Sequence, residues 1–306
     1  MSNHSDYAAL KDMFPGFETR TIQVGSQELF LRVGGSGPVL LLIHGYPQNH
    51  VCWHKIAPIL AEHFTLILPD LPGYGRSSHP EDDENFLNHS KRAMASSLVQ
   101  LMEELEHERF LVAGHDRGAR VAYRMALDHS DKVEKLVCLD ITPTLDMWQG
   151  MNAPKAMNAY HWQFLAQPYP LPEKLIMADP AYYLDHTIAS WAKSRDLSAF
   201  DPKAMDHYRA TFATEEQVHG ACQDYRAGWA IDQELDVRDR EEGRKIKAPT
   251  LVISGPASKT SDSKAQQRLW EQWCENIDCQ TVSAGHFVAE EAPSETLDLL
   301  LPFLKS

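Results

Sequence analysis

The chain is short of cysteine, of positive charge and of long apolar runs. Its five cysteines are odd in number and scattered, which argues against a disulfide framework and suits reduced thiols in a cytoplasm. Cys274 and Cys279 lie close together, but no second Cys or His pair stands at zinc spacing, so no metal is expected. A run of about eighteen apolar residues, the length of a membrane span, does not occur. The stretch Met1 to Tyr7 has neither the basic nor the apolar region of a secretion signal. Asn3-His-Ser5 and Asn88-His-Ser90 spell the glycosylation pattern, which carries little weight without secretion. Internal repeats and low-complexity segments are also missing. Lysine and arginine number 29 against 43 aspartates and glutamates, a formal net charge of −14. Such a field repels nucleic acid and anionic membranes. It would also oppose an anionic substrate, which would then need a local cationic pocket to reverse the sign.

What the chain does have is an alternation of short apolar runs with amphipathic stretches. Thr19 to Val33 alternates polar and apolar residues and predicts two strands turned at Gly25-Ser26. Gly34-Gly-Ser-Gly37 lacks the Gly-Lys-Ser/Thr ending of a phosphate loop and reads as a tight turn. Val39–Ile43, Thr65–Pro69, Phe110–Gly114, Lys135–Leu139 and Thr250–Ile253 predict buried strands, with helices such as His89 to Leu105 and Gly118 to Leu127 between them. The pattern implies an α/β fold, a mostly parallel central sheet flanked by helices on both faces. It breaks between about Thr144 and Lys245, a Trp-, Met- and Tyr-rich interval with no clear buried strand, bent at Pro168, Pro170 and Pro172. The expected organisation is a core of residues 1–143 and 246–306 with an inserted helical unit of residues 144–245. The charged run Asp236 to Lys247 reads as a solvated helix leading back into the core.

The sharpest local signal is Phe110-Leu-Val-Ala-Gly-His-Asp116-Arg-Gly118, an apolar run entering a Gly-x-Asp-x-Gly turn with a helix directly behind it. Strand, sharp turn and helix are the setting of a nucleophile elbow, where flanking glycines permit a strained backbone that thrusts the central side chain into a site. A carboxylate there cannot do serine-type acyl chemistry, but it can attack a saturated carbon and form an ester. The plain alternative is that Asp116 caps the following helix.

His44-Gly-Tyr-Pro47, Asp70-Leu-Pro-Gly-Tyr-Gly-Arg-Ser77, Gly114-His-Asp-Arg-Gly118 and Gly285-His286-Phe, in that order, resemble an α/β-hydrolase with a helical cap. Gly114-His-Asp-Arg-Gly-Ala-Arg120, Leu139-Asp-Ile-Thr-Pro143, Tyr160-His-Trp162 and Asp224-Tyr-Arg226 sharpen this into a resemblance to the fluoroacetate dehalogenases, which hydrolyse haloacetates to glycolate. The likeness spans nearly the whole chain.

It implies Asp116 as nucleophile and His286 as the base that activates water. Asp140, directly after the sixth strand, would orient His286, with Asp262 as the alternative acid. Arg117 and Arg120 would grip the substrate carboxylate with charge-assisted bonds. Relatives acting on neutral haloalkanes typically carry Trp after the Asp, and Arg117 would be a poorly compensated buried charge unless an anion arrives. The plain alternative for either arginine is a pair with a structural acid. His161, Trp162 and Tyr225 would hold the departing halide, or else simply pack the cap. Backbone N–H groups of Tyr46 and Arg117 would form the oxyanion hole. His44 is expected to support that loop, Trp191 to line the pocket or pack, and Asp70 with Gly73-Tyr-Gly75 to shape a loop. The resemblance implies no nicotinamide, flavin or metal, a small haloacid and water as reactants, and a homodimer.

Two other readings compete. An epoxide hydrolase shares the Asp and His machinery and protonates its epoxide with two cap tyrosines, here Tyr225 with Tyr160, Tyr169, Tyr182, Tyr183 or Tyr208. The arginines would then have no obvious task. A non-catalytic ligand receptor on the same fold would not need Asp116, His286 and Asp140 together.

Overall fold

The computed structural model describes Tyr7, residues 9–255 and residues 263–306. Eight strands are formed: β1 (Glu18–Val24), β2 (Gln27–Gly35), β3 (Val39–Ile43), β4 (Thr65–Pro69), β5 (Phe110–His115), β6 (Val133–Leu139), β7 (Thr250–Ser254) and β8 (Ile277–Thr281). They make one sheet in the order β1-β2-β4-β3-β5-β6-β7-β8. Among the described residues only the β1–β2 and β2–β4 pairs are antiparallel. The Gly34-Gly35 pair belongs to β2, hydrogen-bonded opposite Leu66 and Thr65, so the expected turn begins later than the sequence suggests. β3 and β5, in the middle, are apolar along their length because both faces are covered. β1 and β8, at the edges, are largely exposed and carry polar residues that discourage further strand pairing.

Helix α1 (Lys91–Glu104) starts at Ser90, whose side chain accepts the Ala93 N–H. Helix α2 (Arg117–Asp128) is buried over nearly its whole length. Eight helices then run between β6 and β7: α3 (Thr144–Gln149), α4 (Ala153–Asn158), α5 (Tyr160–Leu165), α6 (Leu171–Ile176), α7 (Pro180–Trp191), α8 (Pro202–Ala210), α9 (Glu215–Trp229) and α10 (Ile231–Glu241). Leu165, Ile176, Leu184, Ile188, Tyr208 and Val218 are buried among them. α11 (Ser263–Trp270) and α12 (Pro293–Lys305) complete the chain. Among the described residues no helix is long and apolar enough to cross a membrane.

The charged run after Asp236 is not wholly solvated. Asp232, Asp236 and Asp239 recur at helical spacing on one face of α10, and all three are buried. Arg124 of α2 pairs with Asp236 at 2.5 Å and with Asp239. Tyr123 adds a hydrogen bond to Asp236 at 2.8 Å. Removing one partner strands a buried charge, so Arg124→Met is expected to lower stability by about 3–5 kcal/mol. A denaturant melt with a loss below about 1 kcal/mol would show that these carboxylates find other partners.

Register fixes where chemistry can sit. Ile43 lies opposite Gly114, His115 opposite Leu139, and Leu139 opposite Ile253. The carboxyl ends of β3, β5, β6 and β7 are therefore level, and the loops leaving them converge beneath the inserted helices.

Candidate active site

Asp116 sits between the last residue of β5 and the first of α2, with φ 48° and ψ −116°. A positive φ costs a non-glycine residue about 1–2 kcal/mol, so the surroundings must impose it. They do so through two close approaches. A Cβ on Gly114 would lie 2.5 Å from the Gly118 carbonyl oxygen, and one on Gly118 would lie 2.2 Å from that of His44. Asp116 makes no capping hydrogen bond to α2, which removes the plain alternative. Its Oδ1 accepts the Tyr46 N–H at 3.0 Å, and its Oδ2 lies 3.6 Å from His286 Nε2.

Asp140 leaves β6 with a second positive φ, 50°. Its Oδ2 accepts His286 Nδ1–H at 2.7 Å, and its Oδ1 accepts the Gly255 N–H at 3.1 Å. Asp262 lies outside the described residues. His286 follows β8 and is tied down by its own N–H, which donates to the Trp191 carbonyl at 3.1 Å. Its Nε2 is buried and has no hydrogen-bond partner among the described residues. At 3.6 Å its relation to Asp116 is an ion pair rather than a hydrogen bond. Burial alone would lower the His286 imidazole, but the Asp116 and Asp140 carboxylates bring it up to about 10. Burial alone would raise the Asp116 carboxyl, but His286 and then Arg120 hold it far below the ordinary carboxylate range.

The two arginines differ. Arg117 does not stand uncompensated. Its Nε donates to Asp224 Oδ2 at 2.9 Å, and its Nη2 donates to Asp224 Oδ1 at 2.7 Å and to the Asp224 carbonyl at 2.8 Å. Only Nη1, buried, has no partner among the described residues. Arg120 donates through Nη1 to the Thr142 carbonyl at 2.8 Å and to Thr144 Oγ1 at 3.2 Å, both neutral oxygens. Its Nε is buried without a partner among the described residues.

A cavity of about 410 Å³ opens here, with Asp116, Arg120, Asp140, His161, Trp162, Trp191 and His286 in its wall. Arg117 and Tyr225 are not in the wall. They lie buried behind it, the Arg117 guanidinium 4.1 Å from the Tyr225 ring centre and 5.4 Å from that of Trp162. Arg120 stacks over Trp162 at 4.5 Å. His161, Trp162 and Tyr225 form one cluster, with ring centres 5.8 Å apart for His161–Tyr225 and 5.9 Å for Trp162–Tyr225. His161 Nδ1 and the Tyr225 hydroxyl are both buried without partners among the described residues. Burial pushes His161 down to about 3 and the Tyr225 phenol up, so both rings are neutral and keep an N–H or O–H to donate. Trp191 lies between the other two rings, 4.3 Å from the His161 ring centre and 5.3 Å from that of His286. A larger hollow of about 600 Å³, around Asp82, Tyr169, Glu216 and His219, touches none of the residues singled out for the haloacid reaction.

His44 accepts the Leu71 N–H at 3.0 Å, and Asp70 accepts from His50 and Arg76, so both brace loops as expected. The residues missed in the sequence are Lys91, Tyr74 and Asp224. Asp224 accepts from Lys91, from the Tyr74 hydroxyl at 2.7 Å and from Arg117. The Asp224-Tyr-Arg226 segment was visible as a motif, but nothing in its spelling says that its carboxylate faces an arginine 107 positions earlier.

Residues 38–293 match the family described as alpha/beta hydrolase fold. The chain is 42% identical to a fluoroacetate dehalogenase from Burkholderia sp, over 95% of each protein. It is 30% identical to a soluble epoxide hydrolase from Corynebacterium sp. (strain C12), over 88% of this chain and 91% of that one. Among solved structures, a putative alpha/beta hydrolase from Nostoc sp PCC 7120 superposes with a TM-score of 0.91 at 44% identity, covering 94% of this chain and 98% of that one.

Proposed function

Because this chain belongs to the α/β-hydrolase family and carries a carboxylate at its elbow, we propose that it is a dehalogenase of short 2-haloacids, haloacetates first among them. The observation that carries the reading is the shared cavity wall of Asp116 and Arg120. A nucleophile suited to saturated carbon stands beside a guanidinium whose own hydrogen bonds go to neutral oxygens. That cation reverses, locally, the sign of a strongly acidic protein.

In the proposed reaction the substrate carboxylate takes donors from Arg120 in the wall, with the charge of Arg117 and its remaining Nη1 directly behind that wall. Asp116 Oδ2 attacks the α-carbon, the carbon–halogen bond breaks, and the halide leaves toward His161, Trp162 and Tyr225. Their donors strengthen as charge grows on the departing atom, which favours the transition state over the bound substrate. Water then attacks Asp116 Cγ while His286 Nε2 takes its proton. The oxyanion forms on Oδ1, already on the Tyr46 N–H, with the Arg117 N–H as second donor. Collapse frees the 2-hydroxyacid, whose oxygen recovers the proton from His286, and leaves Asp116 as the acid. The second water proton then passes from Asp116 through His286 to solvent, restoring the carboxylate. Core residues 1–143 and 246–306 would supply nucleophile, base and carboxylate grip, and cap residues 144–245 the halide site.

An epoxide hydrolase is the rival, favoured by the Corynebacterium relative. It needs two phenols converging on the substrate oxygen. Tyr160 is the one tyrosine in the cavity wall, and it stands 40% exposed. The deciding assay measures halide release from fluoroacetate, chloroacetate and bromoacetate beside turnover of styrene oxide. Release from at least one haloacetate is expected, and epoxide turnover without any halide would sink the proposal.

A further inference from the structure

Lys91 is the first residue of α1, and its ammonium is buried against two carboxylates, Asp224 and, at 3.6 Å, Asp232 Oδ2. A lysine at 1% exposure is costly to bury, and neither the proposed displacement nor the ester hydrolysis uses it. Its place becomes intelligible from the oxygens of Asp224. Oδ1 takes Lys91 Nζ and Arg117 Nη2, and Oδ2 takes Arg117 Nε and the Tyr74 hydroxyl. Each oxygen thus has two donors, which leaves the carboxylate one orientation. Arg117 is then held in plane by a two-pronged pair, with Nη1 its one nitrogen left without a partner among the described residues. Gly228 on the same cap helix completes the slot, since a Cβ there would come within 3.0 Å of Arg117 Nη2. Charge enters as well as geometry. A carboxylate paired with Arg117 alone would cancel its attraction for an anion, and a second cation on that carboxylate restores part of it.

We propose that Lys91 is a positioning residue for the substrate carboxylate, acting through Asp224 on Arg117. The inference rests on the haloacid reading above. A residue in this role should govern affinity for the carboxylate end and leave the halide end alone.

The test uses Lys91→Met and Lys91→Arg in the full chain, with acetate as an unreactive competitor and bromide as a halide-site probe. Lys91→Met is expected to raise the acetate inhibition constant and the haloacetate KM together by about tenfold, while bromide inhibition stays at the wild-type value. Lys91→Arg, which keeps the charge, is expected to recover most of the acetate affinity and covers the case in which the Met variant fails to fold. Halide release by the wild type with unchanged acetate constants in the folded variants would overturn the role of Lys91 alone. A wild type that neither binds acetate nor releases halide would overturn the haloacid reading, and this proposal with it.

Discussion

If the proposed reaction holds, changing His286 to Asn is expected to leave an ester on Asp116 after a single burst of halide. The first step does not need the base, because the Asp116 carboxyl is ionised at any ordinary pH. The second step does, since water is a poor nucleophile for an ester until a proton is taken from it. Steady-state halide release is therefore expected to fall by about 10³-fold, with a burst matching the enzyme concentration. Mass spectrometry of the peptide holding Asp116 would show the added glycolyl group. An unmodified peptide after incubation with substrate would contradict the two-step scheme.

The pH dependence follows from the same pair of residues. In the resting enzyme two carboxylates raise His286 to about 10, so at neutral pH it is protonated and cannot act as a base. Esterification removes the charge of Asp116, and with it one of the two causes of that raised value. The nucleophilic step thus prepares the base for the next one. Halide release in the first turnover should be nearly flat across neutral pH. Ester hydrolysis should rise with pH as His286 loses its proton, and a wild-type burst should grow as the pH is lowered. Folding stability moves the other way. The raised His286 contributes fully below its unfolded value of about 6.5, and that contribution is lost as the pH rises toward about 10.

The framework of the fold and the strained turn at Asp116 were legible because local sequence determines both. Val39–Ile43 and Phe110–His115 are buried on both faces and therefore read as unbroken apolar runs. The elbow was legible because a strained φ needs glycines within two residues, and Gly114 and Gly118 are there. What failed was charge pairing across distance. Arg117 was expected to await an anion, but Asp224 already holds it, and Asp236 was assigned to solvent although it faces Arg124. Both pairs join a core helix to the insert over more than a hundred positions, and no periodicity marks such a partner. The α10 acids did carry a weak sign: carboxylates at 232, 236 and 239 fall on one helical face, which is an odd pattern for random solvation.

That difference between the arginines makes Arg120 the informative one to change. Arg117 shares its charge with Asp224, so removing it would leave Asp224 buried with Lys91 and Tyr74 and would confound binding with folding. Arg120 lies in the cavity wall, bonded to the Thr142 carbonyl and the Thr144 hydroxyl, and among the described residues no buried carboxylate loses a hydrogen bond when it goes, although Asp116 loses a nearby cation. Arg120→Leu is therefore expected to lower kcat/KM for haloacetate by about 10²-fold, near the 3 kcal/mol upper end for a hydrogen bond to a charged group. Loss of a correctly aimed α-carbon would enter kcat as well as KM, because the grip also sets the line of attack on Asp116. Arg120→Lys should recover only part of the loss, since one ammonium cannot reproduce both the contact with Thr142 and a donor to the substrate. Thermal melting of both variants within a few degrees of wild type would separate binding from folding. An Arg120→Leu enzyme that kept wild-type kcat/KM would mean that the substrate carries no carboxylate at this end, and the haloacid assignment would fall.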